Sequence, residues 1–415
     1  MFTKFTSHCS RYYPNGILRT VRRVHKSRKD HSTFMSKTSD PLEEMIDDRS
    51  LADDNTPIDE NTLIWVAHYL FVEKKRPADI HKILLSKHGI KIKLQDVYNK
   101  ILRDIIKKNW LILQTPEYSP LMKEIDTQAF QLDKIRITST SDINDVASHA
   151  AYMIRDLLIE KAVNKPEIHI GFSGGNTTRK VFQKFVQCLM EPSFKFSREK
   201  TIVCHALVAG FDDSAPGTDP SSFFIYLDDC DTSDFFNKKF VQFHAPAFVP
   251  AGELKIILAL PALNAVKEQA SRLDLIVTSA ATFNDRHSQL RQYYFNHHRA
   301  TLADLEKKGC IGDMLWLPLN AEGPIGLSEI AHRPVTLLEL EDLPGRIRKD
   351  LTNVLLVIGP CCAEADARCP KTPILKTILN LQKNKKDHRY ITHLVLDKAT
   401  AHESFAIGAG QVNQS

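Results

Sequence analysis

No apolar run in this chain approaches the roughly 18–20 residues that a membrane span requires. No apolar stretch of the secretory-signal kind precedes a cleavage site near the N-terminus, so a secreted protein is not expected. Eight cysteines, at positions 9, 188, 204, 230, 310, 361, 362 and 369, show no disulfide-framework spacing. Reduced thiols in a cytoplasmic protein are the expected reading. Cys361-Cys362 with Cys369 lack a second paired set and nearby histidines, which argues against a metal centre. His287, His297 and His298 have no His-Glu-x-x-His spacing and read as surface residues. The full dinucleotide fingerprint and the Gly-Lys-Ser/Thr phosphate loop are missing too. No metal and no cofactor is therefore expected.

Net charge is also small, +5 over 415 residues, but it is unevenly spread. Residues 1–40 carry nine Lys/Arg against two acids, and residues 41–60 carry eight acids against Arg49 alone. From Asn61 to Gln114 eleven basic residues face four acidic ones. A basic segment of this kind inside a near-neutral chain implies a polyanionic partner for that segment. The first forty residues, Arg/Ser/Thr-rich and acid-poor, superficially resemble a transit peptide, and Met1 and Met35 both stand as starts. Residues 1–56 are expected to form a disordered tail, basic and then acidic.

Residues 57–116 read as a small trihelical unit with a terminal strand. Leu63, Val66, Ala67 and Leu70 share a helical face; Pro77 opens a second helix with Ile80, Ile83 and Leu84 on one side. A third helix, from about Leu94 to Asn109, turns Leu94, Val97, Ile101, Leu102 and Ile105 inward. Trp110-Leu-Ile-Leu then reads as a strand. This order suits a winged helix-turn-helix, in which the third helix enters the DNA major groove. Lys91, Lys93, Gln95, Asn99, Lys100 and Arg103 are the candidate DNA contacts, cations for phosphates and amides for base edges. A small helical domain with a solvated basic face gives the same pattern.

After Pro120 strands and helices alternate. Strands are expected at 134–138, 167–172, 201–209, 273–279, 314–319, 353–358 and 393–396, and helices at 143–163, 178–190, 262–272, 300–308 and 374–381. Such alternation predicts an α/β fold with a mostly parallel sheet over residues 117–415. Ligands of such sheets bind beyond the carboxyl ends of the strands. At one such end E-I-H-I-G-F gives way to S-G-G-N-T-T and a new helix. Free first-turn amides, the helix dipole and glycine's lack of a side chain make this an anion-binding candidate: Ser173, Gly174, Gly175, Asn176, Thr177 and Thr178. A plain capped turn is the alternative. Residues 220–227, P-S-S-F-F-I-Y-L, read as core or a subunit interface.

The order of these pieces resembles the SorC family of bacterial transcriptional regulators. The matching stretches are I-H-K-I-L-L in the helical module, G-G-N-T at 174–177, L-D-L-I-V-T-S-A at 273–280, G-C-I-G-D-M at 309–314, Lys371, and H-L-V-L-D-K-A-T-A at 393–401. The resemblance implies an N-terminal winged helix-turn-helix joined to a sugar-phosphate-binding sensor domain. That domain is of the ribose-phosphate isomerase, glucosamine-phosphate deaminase and CoA transferase-like type. It implies effector-binding roles for Asp274, Ser279, Asp313, Lys371 and Asp397 beside the 173–178 loop. Double-stranded DNA, a small phosphorylated sugar and a homodimer or homotetramer are the partners implied, with no membrane and no enzymatic activity. Departures stand in the turn S-K-H-G-I-K-I-K, in T-S-A at 278–280 and in the expansion 361–370. The rival readings are a sugar-phosphate isomerase or deaminase on the same fold, or a sensor that binds a protein partner through residues 61–114.

Overall fold

β-Branched runs alternate with amphipathic 3.6-residue periods from Lys134 onward, and in the computed structural model they become one ten-stranded sheet with helices packed on it. The structure describes residues 75–92, 117–122, 125–191, 196–210, 216–233, 235–326, 330–360 and 371–405, with Thr62, Trp65, Val66, Tyr69, Leu94 and Val97 as single positions. Residues 1–56, 98–116 and 361–370 lie outside the described residues, and with them the expected tail, most of the third helix and the strand at 110–113.

Of the basic module the structure describes one whole helix, Pro77–His88 (α1), opened by its proline and ended at Gly89. Ile80 and Leu84 are buried with Val66, Tyr69 and Val97 in a small core of their own. Trp65 lies across His88 with ring centroids 3.7 Å apart, and the Tyr69 hydroxyl meets His88 Nε2 at 3.0 Å. Leu94, expected inward, is 37% exposed.

The main sheet runs, in chain order, through Lys134–Thr138 (β1), Glu167–Phe172 (β2), Thr201–Ala206 (β3) and Asn237–Val241 (β4). Phe248–Pro250 (β5) belongs to a separate two-stranded ribbon with His332–Pro334 (β10). Leu275–Thr282 (β6), Gly312–Met314 (β7), Leu317–Asn320 (β8), Gly323–Pro324 (β9), Asn353–Ile358 (β11) and His393–Asp397 (β12) complete the main sheet. Its order is β1-β12-β11-β6-β2-β3-β4, every neighbour parallel, with β7, β8 and β9 added antiparallel beyond β6. β3, β11 and β12 are buried along their whole length, as strands covered on both faces must be.

Ile143–Ala162 (α2) starts on Asp142, whose carboxylate accepts the Asn144 N–H at 2.7 Å, and buries Val146, Ala150, Ile154, Leu157 and Leu158 at helical spacing. Asn176–Leu189 (α3) packs along it, with Val181, Phe182, Phe185 and Leu189 inward. Pro261–Ala270 (α4), Gln289–His297 (α5), Arg299–Lys307 (α6), Asp342–Arg348 (α7), Thr372–Asn384 (α8) and Lys398–Phe405 (α9) follow.

One expected strand needs correction, and two elements were not read from the sequence. The run 314–319 is a hairpin and not one strand, because the chain reverses at Leu315-Trp316 between β7 and β8. Residues 284–299, assigned no element from the sequence, contain α5, capped by Ser288, whose hydroxyl accepts the Arg291 N–H at 3.2 Å. β4 was not legible, since N-K-K-F-V at a sheet edge carries too little apolar signal. Residues 220–227 form two short helical turns whose Phe223, Phe224 and Leu227 enter the main core.

A cleft where the sheet changes direction

The chain leaving β2 runs through α3 to β3 on one side, while the chain leaving β6 leads to β11 on the other. Neighbouring strands whose connections diverge leave a crevice beyond their carboxyl ends, and ligands of open α/β sheets occupy it. Here that crevice is an open cleft. Ser173, Gly174, Gly175, Asn176 and Thr177 line it from the β2 side, Ser279, Ala280 and Ala281 from β6, Asp313 from β7, and Lys371 from the start of α8. Eight of the residues expected from sequence thus meet in one place.

The 173–177 loop is held from both sides. Ser173 N–H donates to the Val277 carbonyl of β6 at 3.0 Å, and Gly175 N–H donates to the Thr218 carbonyl at 2.9 Å. The first α3 bond runs from Arg179 N–H to the Gly175 carbonyl at 3.0 Å, so the amides of Asn176, Thr177 and Thr178 precede the ladder and have no intrahelical acceptor. Gly175 has φ 103° and ψ 162°, a conformation in which a side chain is strained. Thr178 does not line the cleft: it is buried behind the loop, its hydroxyl 3.3 Å from that of Ser173.

Asp313 reaches the cleft because β7 pairs antiparallel with the end of β6, opposite Ala281. A Cβ on the adjoining Gly312 would sit 2.2 Å from the Ala281 carbonyl oxygen, so only glycine permits that approach. The Asp313 carboxylate accepts the Ser288 hydroxyl at 3.4 Å and is 5% exposed. Burial pushes its carboxyl up to about 7, against the opposing influence of the Lys371 ammonium and the Ser288 hydroxyl, with Asp285 adding to the rise. Lys371, 7% exposed, donates from Nζ to the Ala280 carbonyl at 3.1 Å. Backbone amides, hydroxyls and one ammonium therefore share a cleft with the carboxylates of Asp285 and Asp313. That mixture suits a small molecule carrying an anionic group and several hydroxyls.

Sequence reasoning missed Asp285, His287, Gln289 and Trp316, which complete the lining. The turn T-F-N-D and the capping pattern at Ser288-Gln289 were the available signals, but α5 was not read from the sequence, and that hid their convergence. Among the described residues no cluster of three or more His, Cys, Asp or Glu stands ready for a metal ion.

Two expected ligands lie elsewhere. Asp274 precedes β6, at the opposite end of the sheet from the cleft; it pairs with Lys165 and accepts the His169 N–H at 2.9 Å. The resemblance of L-D-L-I-V-T-S-A to the family motif gave it the look of a site residue, whereas it joins β2 to β6 at their start. Asp274→Ala is accordingly expected to lower unfolding free energy by about 1–3 kcal/mol, the cost of a buried amide losing its acceptor, with ligand affinity unchanged. Chemical denaturation beside ligand titration checks both halves. Asp397 stands at a carboxyl end but outside the cleft lining, because its carboxylate takes the Ser141 hydroxyl at 3.0 Å, the Ala399 N–H at 3.0 Å and the Thr400 hydroxyl at 2.6 Å. It caps α9. Of the candidate DNA contacts, Lys91 is described and exposed; Lys93, Gln95, Asn99, Lys100 and Arg103 lie outside the described residues.

No protein-family model matches the chain, and no curated protein matches it in sequence. Solved structures do align with it. The full-length sorbitol operon regulator SorC from Klebsiella pneumoniae aligns at 14% identity and TM-score 0.48, covering 82% of this chain and 97% of that one. A DeoR family transcriptional regulator from Listeria monocytogenes aligns at 18% identity and TM-score 0.47, covering 67% of this chain and 96% of that one. A 6-phosphogluconolactonase from Plasmodium vivax aligns at 13% identity and TM-score 0.34, covering 63% of this chain and 90% of that one. Likeness at these values decides neither function nor ligand.

Proposed function

We propose that this protein is a DNA-binding regulator of the SorC kind, whose cleft binds a small phosphorylated sugar and whose residues 57–116 bind double-stranded DNA according to whether the cleft is filled. The observation that carries the reading is the convergence of the Gly174-Gly175 loop, the unbonded first-turn amides of α3, Lys371 and Asp313 on one cleft. The loop and dipole are matched to a phosphate dianion, and the carboxylates to sugar hydroxyls. The basic excess over residues 61–114 supports a polyanionic partner for that module.

A gel shift on the DNA upstream of the protein's own coding sequence, with and without glucose 6-phosphate and ribose 5-phosphate, tests the whole reading. Retardation that changes with an added sugar phosphate is expected; retardation indifferent to all of them sinks the coupling. The DNA half has a separate signature. Binding should weaken steeply with salt, and Lys100→Ala with Arg103→Ala should reduce the slope of log affinity on log salt by about two, one for each lost phosphate contact. A double variant with the parent's affinity and slope would remove these residues from the interface.

One observation favours a second reading. A buried carboxyl held near 7 beside an ammonium is what a general base in sugar-phosphate isomerisation needs. Conversion of either sugar phosphate by the parent protein, followed by NMR, decides for catalysis; binding without conversion decides for sensing.

A further inference from the structure

The turn joining β7 to β8 consists of Leu315 and Trp316 alone, and both carry positive φ, 55° and 63°. Two-residue hairpin turns of this kind are normally built from Asn and Gly, because a Cβ in the left-handed region crowds a neighbouring carbonyl. Two large side chains in succession are held there only if their surroundings overcome the strain. Those surroundings are well packed. Leu315 is buried in the main core, and Trp316 in a separate aromatic-rich cluster. The Phe248 ring lies 6.0 Å from that of Trp316 and nearly parallel to it, and Phe248 stacks in turn on Tyr293 at 3.6 Å. The indole, 6% exposed, thus packs near Phe248, which Tyr293 holds in turn, while an edge of it lines the cleft with Gly175, Asp313 and Lys371. Reversing the chain requires no indole at this position, and an indole makes the reversal harder.

We propose that Trp316 is the specificity-determining wall of the cleft, a rigid aromatic surface that packs against the carbon skeleton of the phosphorylated sugar and limits the ligand to one sugar unit. The inference rests on reading the cleft as a phosphosugar site. An aromatic ring offers a large contact area with little side-chain freedom to lose, and ring C–H groups of a sugar pack well on its face. Removing the indole would widen the cleft only if Trp316 bounds it, as proposed.

The experiment compares the parent, Trp316→Gly and Trp316→Phe by thermal shift with inorganic phosphate, ribose 5-phosphate, glucose 6-phosphate and trehalose 6-phosphate. Tryptophan emission is followed in the same titrations. The parent is expected to be stabilised by the single-ring phosphates and not by the disaccharide phosphate. Trp316→Gly, relieved of the strained φ, should accept the disaccharide phosphate and lose preference among the others. Trp316→Phe keeps a ring in place, so its thermal shift with the single-ring ligands should persist. The emission change seen in the parent should vanish in it, since the indole that lines the cleft is gone. An unchanged ligand ranking in Trp316→Gly, or an emission response retained in Trp316→Phe, overturns the proposal while leaving the phosphosugar site standing. A parent stabilised by none of the sugar phosphates overturns that site and this inference together. Should Trp316→Gly fail to fold, the emission arm decides alone.

Discussion

Replacing Gly175 with valine is expected to abolish the rise in melting temperature that a sugar phosphate gives the parent protein. Ligand that binds only the folded state stabilises it by mass action, about 2.7 kcal/mol at a hundredfold excess over Kd, so the parent's shift should be several degrees. Two effects of valine act together. Its side chain would stand at the mouth of the loop where the amides of α3 are offered, and φ 103° is closed to a β-branched residue without strain of about 1–3 kcal/mol. Space within the protein is not the obstacle, because a Cβ at Gly175 would meet only the Gln289 side chain, at 3.7 Å. The free-state Tm should therefore fall moderately while the fold survives, and the ligand response should disappear. Thermal melts of both proteins across a ligand titration measure this. A variant whose Tm climbs with ligand as steeply as the parent's would place the anion somewhere other than this loop.

Asp313→Asn should do the reverse to stability: the variant is expected to be more stable than the parent at pH 8. The Asp313 carboxyl is held near 7 in the folded protein against 3.8 unconstrained, so the folded state holds this proton more tightly than the unfolded one. For a raised acid the contribution is complete below about pH 4 and is lost as pH climbs through 7, leaving an ionised carboxylate in a site that opposes charge. The span corresponds to about 1–4 kcal/mol by linkage, an amount the asparagine avoids. Asp145, pushed up to about 6 by burial, slopes the same way, while His205 and His393, depressed by burial to about 3 and about 4, slope oppositely. The informative quantity is thus the difference between parent and variant at each pH. That difference should be small near pH 4 and grow to its full value by pH 8. Ligand affinity should fall about tenfold, since an ionised acceptor for sugar hydroxyls is replaced by a neutral one. A variant less stable than the parent at pH 8 would mean that the carboxylate is a structural element and not a binding group held at a cost to stability.

The sequence by itself determined which local pieces form and where the glycine-bearing loop that lines the cleft begins. Long periodic helices such as α2 and α3, and buried strands such as β2 and β11, announce themselves because burial imposes apolar residues at regular spacing along them. The S-G-G-N-T-T junction was legible for a similar reason: helix entry, missing side chains and hydroxyl donors are all local properties. Tertiary structure decided what faced that loop. β4 and α5 carry mixed polar residues whose conformation is set by neighbours far along the chain, and they were not read. Lys371 and Asp313 follow Gly175 by well over a hundred residues, and only the pairing of β6 with β2 and the close antiparallel pairing of β7 with β6 at Gly312 bring them to it. Asp274 and Asp397 show the converse. Each adjoins an apolar strand and looks like a ligand in sequence, yet three-dimensional pairing occupies their carboxylates with Lys165 and the His169 amide in one case, and with Ser141 and the start of α9 in the other. A residue's chemistry is written in the sequence, but whether its polar atoms remain available for a ligand depends on partners that only the folded chain supplies.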